Sequence, residues 1–140
     1  RLLGGKTVKF WNVFGWEEPG QRSHVIPDLI ADALKNNEIE LMTTGEEKRQ
    51  FIYVEDCVRN LAKVSNMPLQ EYHLTNGKWI SILEVAQIIG QQLDVSVTAG
   101  SIKGYFNPVN TNESYKEFEF RFSLEEGIQK VIEKAFNAFA

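Results

Sequence analysis

Residues 49–61 read RQFIYVEDCVRNL, and within this stretch a strand pattern passes directly into a helix pattern. Side chains alternate between two faces along residues 49–54, with Arg49, Phe51 and Tyr53 on one face and Gln50, Ile52 and Val54 on the other. A helix is predicted at once, because apolar residues then recur at helical spacing at Val54, Cys57, Val58 and Leu61. A strand that leads straight into an amphipathic helix is typical of α/β proteins.

The alternation of strands and helices continues in both directions from this stretch. Upstream, residues 7–14 (TVKFWNVF) predict a buried strand, residues 15–23 a loop, and the residues from Ile26 to Asn36 a helix with Pro27 in its first turn. Downstream, the pattern predicts strands at residues 39–42, at 71–75 and within 94–102, helices that begin at Ser81 and Ser123, and a long loop at 103–120. The predicted fold class is therefore α/β.

The first predicted strand raises a question of pairing. Its apolar run has no partner of its own kind nearby in the sequence, and alone it would leave an apolar edge exposed. We therefore expect that a segment that pairs with this strand is missing from the 140 residues.

Composition and charge exclude several classes of protein. Hydrophobic residues make up 43% and charged residues 24%, as in a soluble globular domain, and no apolar run approaches the roughly 18 residues of a membrane span. The formal net charge of −4 argues against a nucleic-acid partner. Cys57 is the only cysteine, so a reducing, cytoplasmic setting is expected. His24 and His73 lack partners at metal-ligand spacing, so no metal site is predicted.

Three segments, in order, resemble those of the extended short-chain dehydrogenases that process nucleotide-sugars, the NAD-dependent epimerases and dehydratases. Residues 12–15 (NVFG) resemble the family's Asn-Val-Tyr-Gly segment, which ends a Rossmann strand. Residues 44–56 (TGEEKRQFIYVED) resemble its Gly-x-x-x-Arg-Asp-Phe-x-x-Val-x-Asp segment, and residues 123–128 (SLEEGI) its Ser-Leu-Glu-Glu-Gly ending. The resemblance implies the C-terminal part of an extended Rossmann-type dehydrogenase, with a small α/β substrate domain.

Two motifs of that family do not occur in this sequence. There is no Gly-x-Gly-x-x-Gly or Gly-x-x-Gly-x-x-Gly loop, and no tyrosine is followed by lysine four residues later. The resemblance places both motifs upstream, so residues 1–140 are expected to form a single substrate-binding domain fragment, with residues 7–15 as a late Rossmann strand and the dinucleotide-binding half missing. The full-length parent would use NAD or NADP and could dimerise through the missing half, whereas the fragment would neither bind the cofactor tightly nor catalyse hydride transfer.

Arg49 and Asn12 are the main candidates for substrate binding. The resemblance implies that Arg49 contacts the substrate diphosphate, and a guanidinium offers phosphate a fork of donors. It also implies that Asn12 touches the nucleotide-sugar from the carboxyl end of a strand, where ligands of α/β proteins bind. The plainer alternatives are a solvated strand arginine near Glu46 or Glu47, and an asparagine that caps the following loop.

The remaining candidates lie around these two residues. Trp11 and Val13 flank Asn12 and either wall the nicotinamide side of the cofactor or belong to the core. Tyr53 shares the predicted face of Arg49, where it would stack on a base or bond to a sugar unless it is a half-buried strand residue. The family often has an Arg-x-x-Asp pair at the positions of residues 103–112, and none occurs here, so Lys103 and Arg22 become candidate phosphate ligands.

Two further positions of the segment at residues 44–56 bear on the resemblance. Gln50 stands where the family usually has Asp, and Asp56 needs no role beyond its place at a helix start.

Three functions are candidates for this chain. The first function is the substrate domain of a nucleotide-sugar 4,6-dehydratase or epimerase, which is a lyase or an isomerase. The second is a non-enzymatic binding or assembly module, and the third is a related reductase that acts on a non-nucleotide substrate.

Overall fold

A computed structural model describes residues 4–109 and 112–139 of the chain. Within these residues the strands are β1 (Thr7–Phe10), β2 (Asn12–Phe14), β3 (Glu38–Glu40), β4 (Lys48–Arg49), β5 (Phe51–Tyr53), β6 (Glu71–Leu74), β7 (Ile80–Ser81) and β8 (Ser96–Thr98). The α-helices are α1 (Val25–Asn36), α2 (Val54–Lys63), α3 (Ile82–Leu93) and α4 (Leu124–Phe139). Short 3-10 helices lie at Val64–Asn66 and, inside the predicted long loop, at Glu113–Glu117. The predicted α/β class is confirmed.

Most of the strand pairs are parallel, as helical crossovers between strands require. Strand β1 pairs with β6, β2 with β5, and β3 with β8, all in parallel. The short strands β4 and β7 pair in antiparallel fashion, with Arg49 opposite Ile80.

The predicted strand at residues 7–14 is interrupted at Trp11. Residues before Trp11 pair with β6, and residues after it pair with β5, so the chain changes its partner at this point. Both partners lie far along the chain and are reached through crossovers rather than through a local hairpin. The prediction of one continuous strand is therefore wrong, and its two parts pair with strands that are distant in sequence. Only one β ladder of β1 is found among the described residues, and the missing pairing segment stays a prediction.

Two hydrophobic clusters lie on opposite sides of the strands. Phe51 and Tyr53 point into the larger cluster, which also contains Phe14 and the buried faces of α1, α3 and α4. Ile52 points into the smaller cluster, with Cys57, Val64, Tyr72, Leu74 and Phe118. The predicted alternation is therefore confirmed for Phe51, Ile52 and Tyr53. Val54, predicted on the face of Ile52, instead packs against the larger cluster, because it already begins α2. Burial raises the pKa of the Cys57 thiol, so this side chain stays protonated at neutral pH, in keeping with its expected place in the core.

Helix α2 turns a partly polar side inward, against the sequence prediction. Val58 and Leu61, predicted to face the core, are 61% and 40% exposed, whereas Asp56 and Asn60 are each 1% exposed. The Asp56 carboxylate accepts hydrogen bonds from the backbone N–H groups of Arg121 (2.9 Å) and Phe122 (3.1 Å). Asn60 bonds both the N–H and the C=O of Glu119. These bonds supply hydrogen-bond partners to backbone groups of residues 119–122, which would otherwise lose their bonds to water without replacement.

The other helices follow their sequence signals. Ser81 and Glu84 form the predicted reciprocal capping box at the start of α3, and Ser123 accepts the N–H of Glu126 at the start of α4. No helix in the described ranges is long and apolar enough to cross a bilayer.

We expect Asp56→Ala to lower the free energy of unfolding by about 3 kcal/mol, because it leaves two backbone N–H groups in a partly buried place without acceptors. Urea unfolding followed by circular dichroism measures this change. Glu55→Ala is the matched control, since Glu55 is the exposed acidic neighbour in the same helical turn. Equal effects of the two substitutions would show that the helix dipole, and not the bonds to residues 121 and 122, accounts for the role of Asp56.

Candidate functional site

The change of partner at Trp11 opens a fork in the sheet, which we call the strand fork and define by Trp11, Asn12, Gln50 and Thr75. The N–H of Trp11 donates to the carbonyl of Leu74 (3.4 Å), and the N–H of Asn12 donates to the carbonyl of Gln50 (3.2 Å). The fork lies at the carboxyl ends of β1 and β6, and ligands of open α/β sheets bind at this edge.

A buried side-chain hydrogen bond bridges the strand fork. The Thr75 hydroxyl donates to Oε1 of Gln50 at 2.6 Å, and both residues are almost fully buried. The same hydroxyl accepts the N–H of Gly77 (3.2 Å), in the turn that follows β6. Nε2 of Gln50 has no hydrogen-bond partner within the described part of the chain. Thr75 thus links β6, the turn after it and the start of β5.

Asn12 and Arg49 are each in register with a residue that lines one cleft. Asn12 pairs with Phe51 across β2 and β5, and Arg49 pairs with Ile80 across β4 and β7. Phe51 and Ile80 both line a cleft of about 360 Å³. Paired residues on neighbouring strands point to the same face, so Asn12 and Arg49 share the faces of Phe51 and Ile80, although they do not themselves line the cleft.

Arg49 keeps most of its hydrogen-bonding capacity. Its side chain is exposed, and Nη1 donates to the carbonyl of Lys48 at 2.8 Å. A guanidinium carries five N–H donors, so the other donors remain available to an anion. Asn12 is partly exposed, and its backbone, not its amide, makes the bond across the fork.

The cleft combines aromatic walls with a polar rim, and sequence reasoning missed it. Trp79, Phe120 and Phe122 supply rings, and Lys78 supplies a cation; the other lining residues are Asn76, Glu84, Ser123, Leu124 and Glu125. The sequence feature that could have indicated this cleft is the pair Lys78-Trp79, which directly follows the Asn76-Gly77 turn at the end of a strand. No local pattern indicated that residues 120–125 help to line the cleft, because their position depends on the bonds of residues 119, 121 and 122 to α2.

Edge-to-face ring contacts join the strand fork to the predicted loop. Trp11 meets Trp79 with ring centroids 5.6 Å apart, and Trp79 meets Phe106 at 5.2 Å. The segment that contains Phe106 also carries Lys103, which is exposed and lines an open depression with Glu46 and Tyr105. The structure therefore brings Trp11, Asn12, Arg49 and the loop of Lys103 to one region.

Three other predicted site residues do not line the cleft either. Tyr53 is 3% exposed, and its ring packs against Phe14 and Phe122, with centroids 5.5 and 5.1 Å away. Burial, and then the neighbouring Glu55, raise the pKa of the Tyr53 phenol, which therefore stays neutral. Val13 packs against the smaller cluster, and Arg22 is exposed in the loop before α1. Roles in substrate or cofactor binding for these residues stay predictions.

A second cavity, of about 430 Å³, lies at the carboxyl end of β2. Gly15, Trp16, Glu17, His24 and Lys134 are among its lining residues. Gly15 is required there, because a Cβ at this position would lie 2.8 Å from Cγ1 of Val54 at the start of α2. The imidazole Nδ1 of His24 lies 2.7 Å from Oε1 of Glu17, so two of the lining side chains are in contact with each other.

The residues present do not form a dinucleotide site by themselves. Such a site needs a glycine-rich turn that lets backbone N–H groups approach the pyrophosphate, and the sequence contains none. The ring of Trp11 contacts His73 and Trp79, and Val13 is packed, so neither supplies a phosphate donor. In the described ranges no cluster of three or more His, Cys, Asp or Glu side chains could hold a metal ion.

A family model and individual proteins match this chain. The model described as the NAD dependent epimerase/dehydratase family matches residues 4–76. The dTDP-4-dehydro-6-deoxy-D-allose reductase of Streptomyces bikiniensis is 34% identical over 88 residues, which are 59% of this chain and 26% of that protein. The chain thus spans well under half the length of this relative.

Two solved structures share the fold. The UDP-glucose 4-epimerase of Thermotoga maritima, determined with UDP-glucose, superposes with a TM-score of 0.79 at 19% identity, covering 95% of this chain and 46% of that one. The UDP-glucuronic acid 4-epimerase of Bacillus cereus, determined with UDP-glucuronic acid and NAD, gives a TM-score of 0.76 at 14% identity, covering 95% and 45%.

We expect Thr75→Val to destabilise the protein by about 1–3 kcal/mol, because the near-isosteric valine leaves Gln50 and the N–H of Gly77 without their shared partner. Thr98→Val is the control, since Thr98 is an exposed strand threonine in β8. Chemical unfolding of both variants measures the difference. Similar small effects at the two positions would show that the bond across the fork adds nothing to stability.

Proposed function

Since the chain belongs to the NAD dependent epimerase/dehydratase family, we propose that it is the nucleotide-sugar-binding part of an NAD(P)-dependent epimerase or dehydratase and is inactive by itself. The observation that carries the proposal is the register of Asn12 with Phe51 and of Arg49 with Ile80. Phe51 and Ile80 line the same cleft. A guanidinium with free donors and a carboxamide on the same face suit a diphosphate.

The proposed ligand is the diphosphate of a nucleotide-sugar. Arg49 would donate two parallel N–H bonds to phosphate oxygens, and Asn12 would donate from its amide and accept from a sugar hydroxyl. Lys103 and Arg22 are proposed as further cations, and Tyr53 as a further contact. Holding the non-reacting nucleotide is useful because its binding energy orients the sugar that reacts.

We assign the chemical step to residues outside these 140. An upstream half of the same protein is proposed to carry the glycine-rich loop and the Tyr-x-x-x-Lys pair, and with them the NAD or NADP site. The relatives support this, because this chain covers less than half of each of the three described above. What the present residues do in this scheme is bind and orient the substrate.

The exposed apolar side of α2 is proposed as the surface on which the upstream half packs. Val58 and Leu61 of α2 and Phe10 of β1 are 40–61% exposed. Parallel sheets are normally covered on both faces, so apolar side chains that stay open on β1 and α2 fit a surface that is covered in a longer protein.

A second function stays in competition. No Arg-x-x-Asp pair occurs at residues 103–112, and the Streptomyces relative is named a reductase. A binding or assembly module, or a reductase acting on a non-nucleotide substrate, would fit the first observation. The second observation favours only the reductase activity, because the name of that relative gives a dTDP-linked substrate. Each would leave Arg49 without a diphosphate to bind, so the same experiment separates the candidates.

We expect Arg49→Ala to weaken binding of the matching UDP-, dTDP- or GDP-sugar by about 10- to 100-fold, because hydrogen bonds from a charged donor are lost. Calorimetric titration of the full-length gene product measures this. Arg49→Lys keeps the charge without the fork and should fall between. Arg121→Ala is the control, since the Arg121 side chain is exposed while only its backbone is bonded to Asp56. Absence of binding, or binding unaffected by Arg49→Ala, would overturn the proposal.

We expect Leu61→Lys to change the stability of the 140-residue chain by less than about 0.5 kcal/mol, because Leu61 is exposed there. In the full-length product the same substitution should cost about 2 kcal/mol or more, because it would bury a charge at the packed surface. Urea unfolding of both proteins, with Ser65→Lys as the control, measures the contrast. An equally small effect in both proteins would show that α2 is not covered by the upstream half.

A further inference from the structure

The indole of Trp11 is held by a chain of polar side chains that have no part in the proposed diphosphate contacts. Its Nε1–H donates to Nδ1 of His73 at 3.3 Å. Nε2 of His73 lies 3.4 Å from Oε1 of Glu71, and the same carboxylate oxygen lies 3.1 Å from Nζ of Lys9. All four side chains belong to β1, β6 and the fork between β1 and β2.

The partners of the imidazole fix its tautomer. An indole N–H can only donate, so Nδ1 of His73 must accept and carries no proton. The proton of the neutral ring is therefore on Nε2, where it faces Glu71. Lys9, and to a smaller extent His73, hold the pKa of the Glu71 carboxyl below its usual value, so Glu71 is ionised at neutral pH and orients the ring.

His73 has little freedom to move away from this arrangement. It is 7% exposed, and its backbone N–H donates to Oγ of Ser114 at 2.8 Å. The charged groups that face it on its own sheet are Glu71 and Lys9. On the 3-10 helix packed against β6, Glu113 and Lys116 pair with each other at 3.0 Å.

Protonation would break the bond to Trp11. A doubly protonated imidazole carries an N–H at Nδ1 as well, and two N–H groups that point at one another cannot form a hydrogen bond. Glu71 would retain the imidazolium at Nε2, so the side that loses its partner is the side of Trp11. Trp11 also contacts Trp79, which walls the cleft, and it directly precedes Asn12.

We propose that His73 is a positioning residue for the nucleotide-sugar site: in its neutral form it holds Trp11 at the strand fork, and its protonation releases Trp11 and weakens ligand binding. This rests on the proposed function for its effect on binding, but the state of Trp11 is a property of the ligand-free protein. The expected loss of affinity on acidification from about pH 8 to about pH 5.5 is about two- to tenfold, the range for one hydrogen bond.

The first test uses the ligand-free 140-residue chain. The chain has three tryptophans and two histidines, and the indole N–H signal of Trp11 is assigned in ¹H–¹⁵N spectra by its loss in Trp11→Phe. We expect this signal to shift when acidification protonates His73, because the indole N–H then loses its acceptor. His73→Asn should remove the shift while keeping an acceptor for the indole, and His73→Leu should give the low-pH signal throughout. His24→Asn, at the other histidine, should change nothing.

The second test measures nucleotide-sugar binding by the full-length product at the two pH values. His73→Asn should reduce the pH dependence of binding, whereas His24→Asn should leave it unchanged. A Trp11 signal that does not titrate, or that still titrates in His73→Asn, overturns the positioning role, whatever Arg49→Ala shows. A titrating Trp11 signal with unchanged binding overturns only its link to the site, whereas absent binding at both pH values overturns the proposed function instead.

Discussion

The carboxylate of Asp56 is the constraint on which much of this structure depends. It accepts two backbone N–H groups, of Arg121 and Phe122, and is joined by the guanidinium of Arg59. These bonds attach the segment that enters α4 to the start of α2, over a separation of more than 60 residues. Because hydrogen bonds to an ionised acceptor are stronger than neutral ones, a single side chain suffices to fix the path of the backbone there.

The path of this segment determines both the core and the cleft. With residues 119–122 fixed, Phe122 packs edge-to-face against Tyr53 and closes the larger hydrophobic cluster on one side. Phe120 and Phe122 then stand opposite Trp79 and complete the cleft. The buried polar side of α2 and the exposed Val58 and Leu61 therefore follow from one requirement, that a returning backbone needs hydrogen-bond partners once it leaves water.

The strand fork shows how a change of pairing partner opens the sheet beside a cleft. At Trp11 the backbone leaves β6 and joins β5, and the Gln50–Thr75 bond bridges the gap between them. Polar side chains that sequence analysis could name only one by one, Asn12 and Arg49, thereby come to the same face as an aromatic cleft. Lys78, Trp79 and His73 join them through contacts that no periodic pattern in the sequence reports.

The sequence by itself determined the order of the four α-helices and of most strands, the alternation along β5, the caps of α3 and α4, and the family to which the chain belongs. These features depend on local spacing, which is written directly in the chain. Only the tertiary structure decided where the first strand breaks, which side of α2 faces inward and which residues line the cleft. Each of these depends on hydrogen bonds or ring contacts between residues that are distant in sequence, and for those the local pattern carries no information.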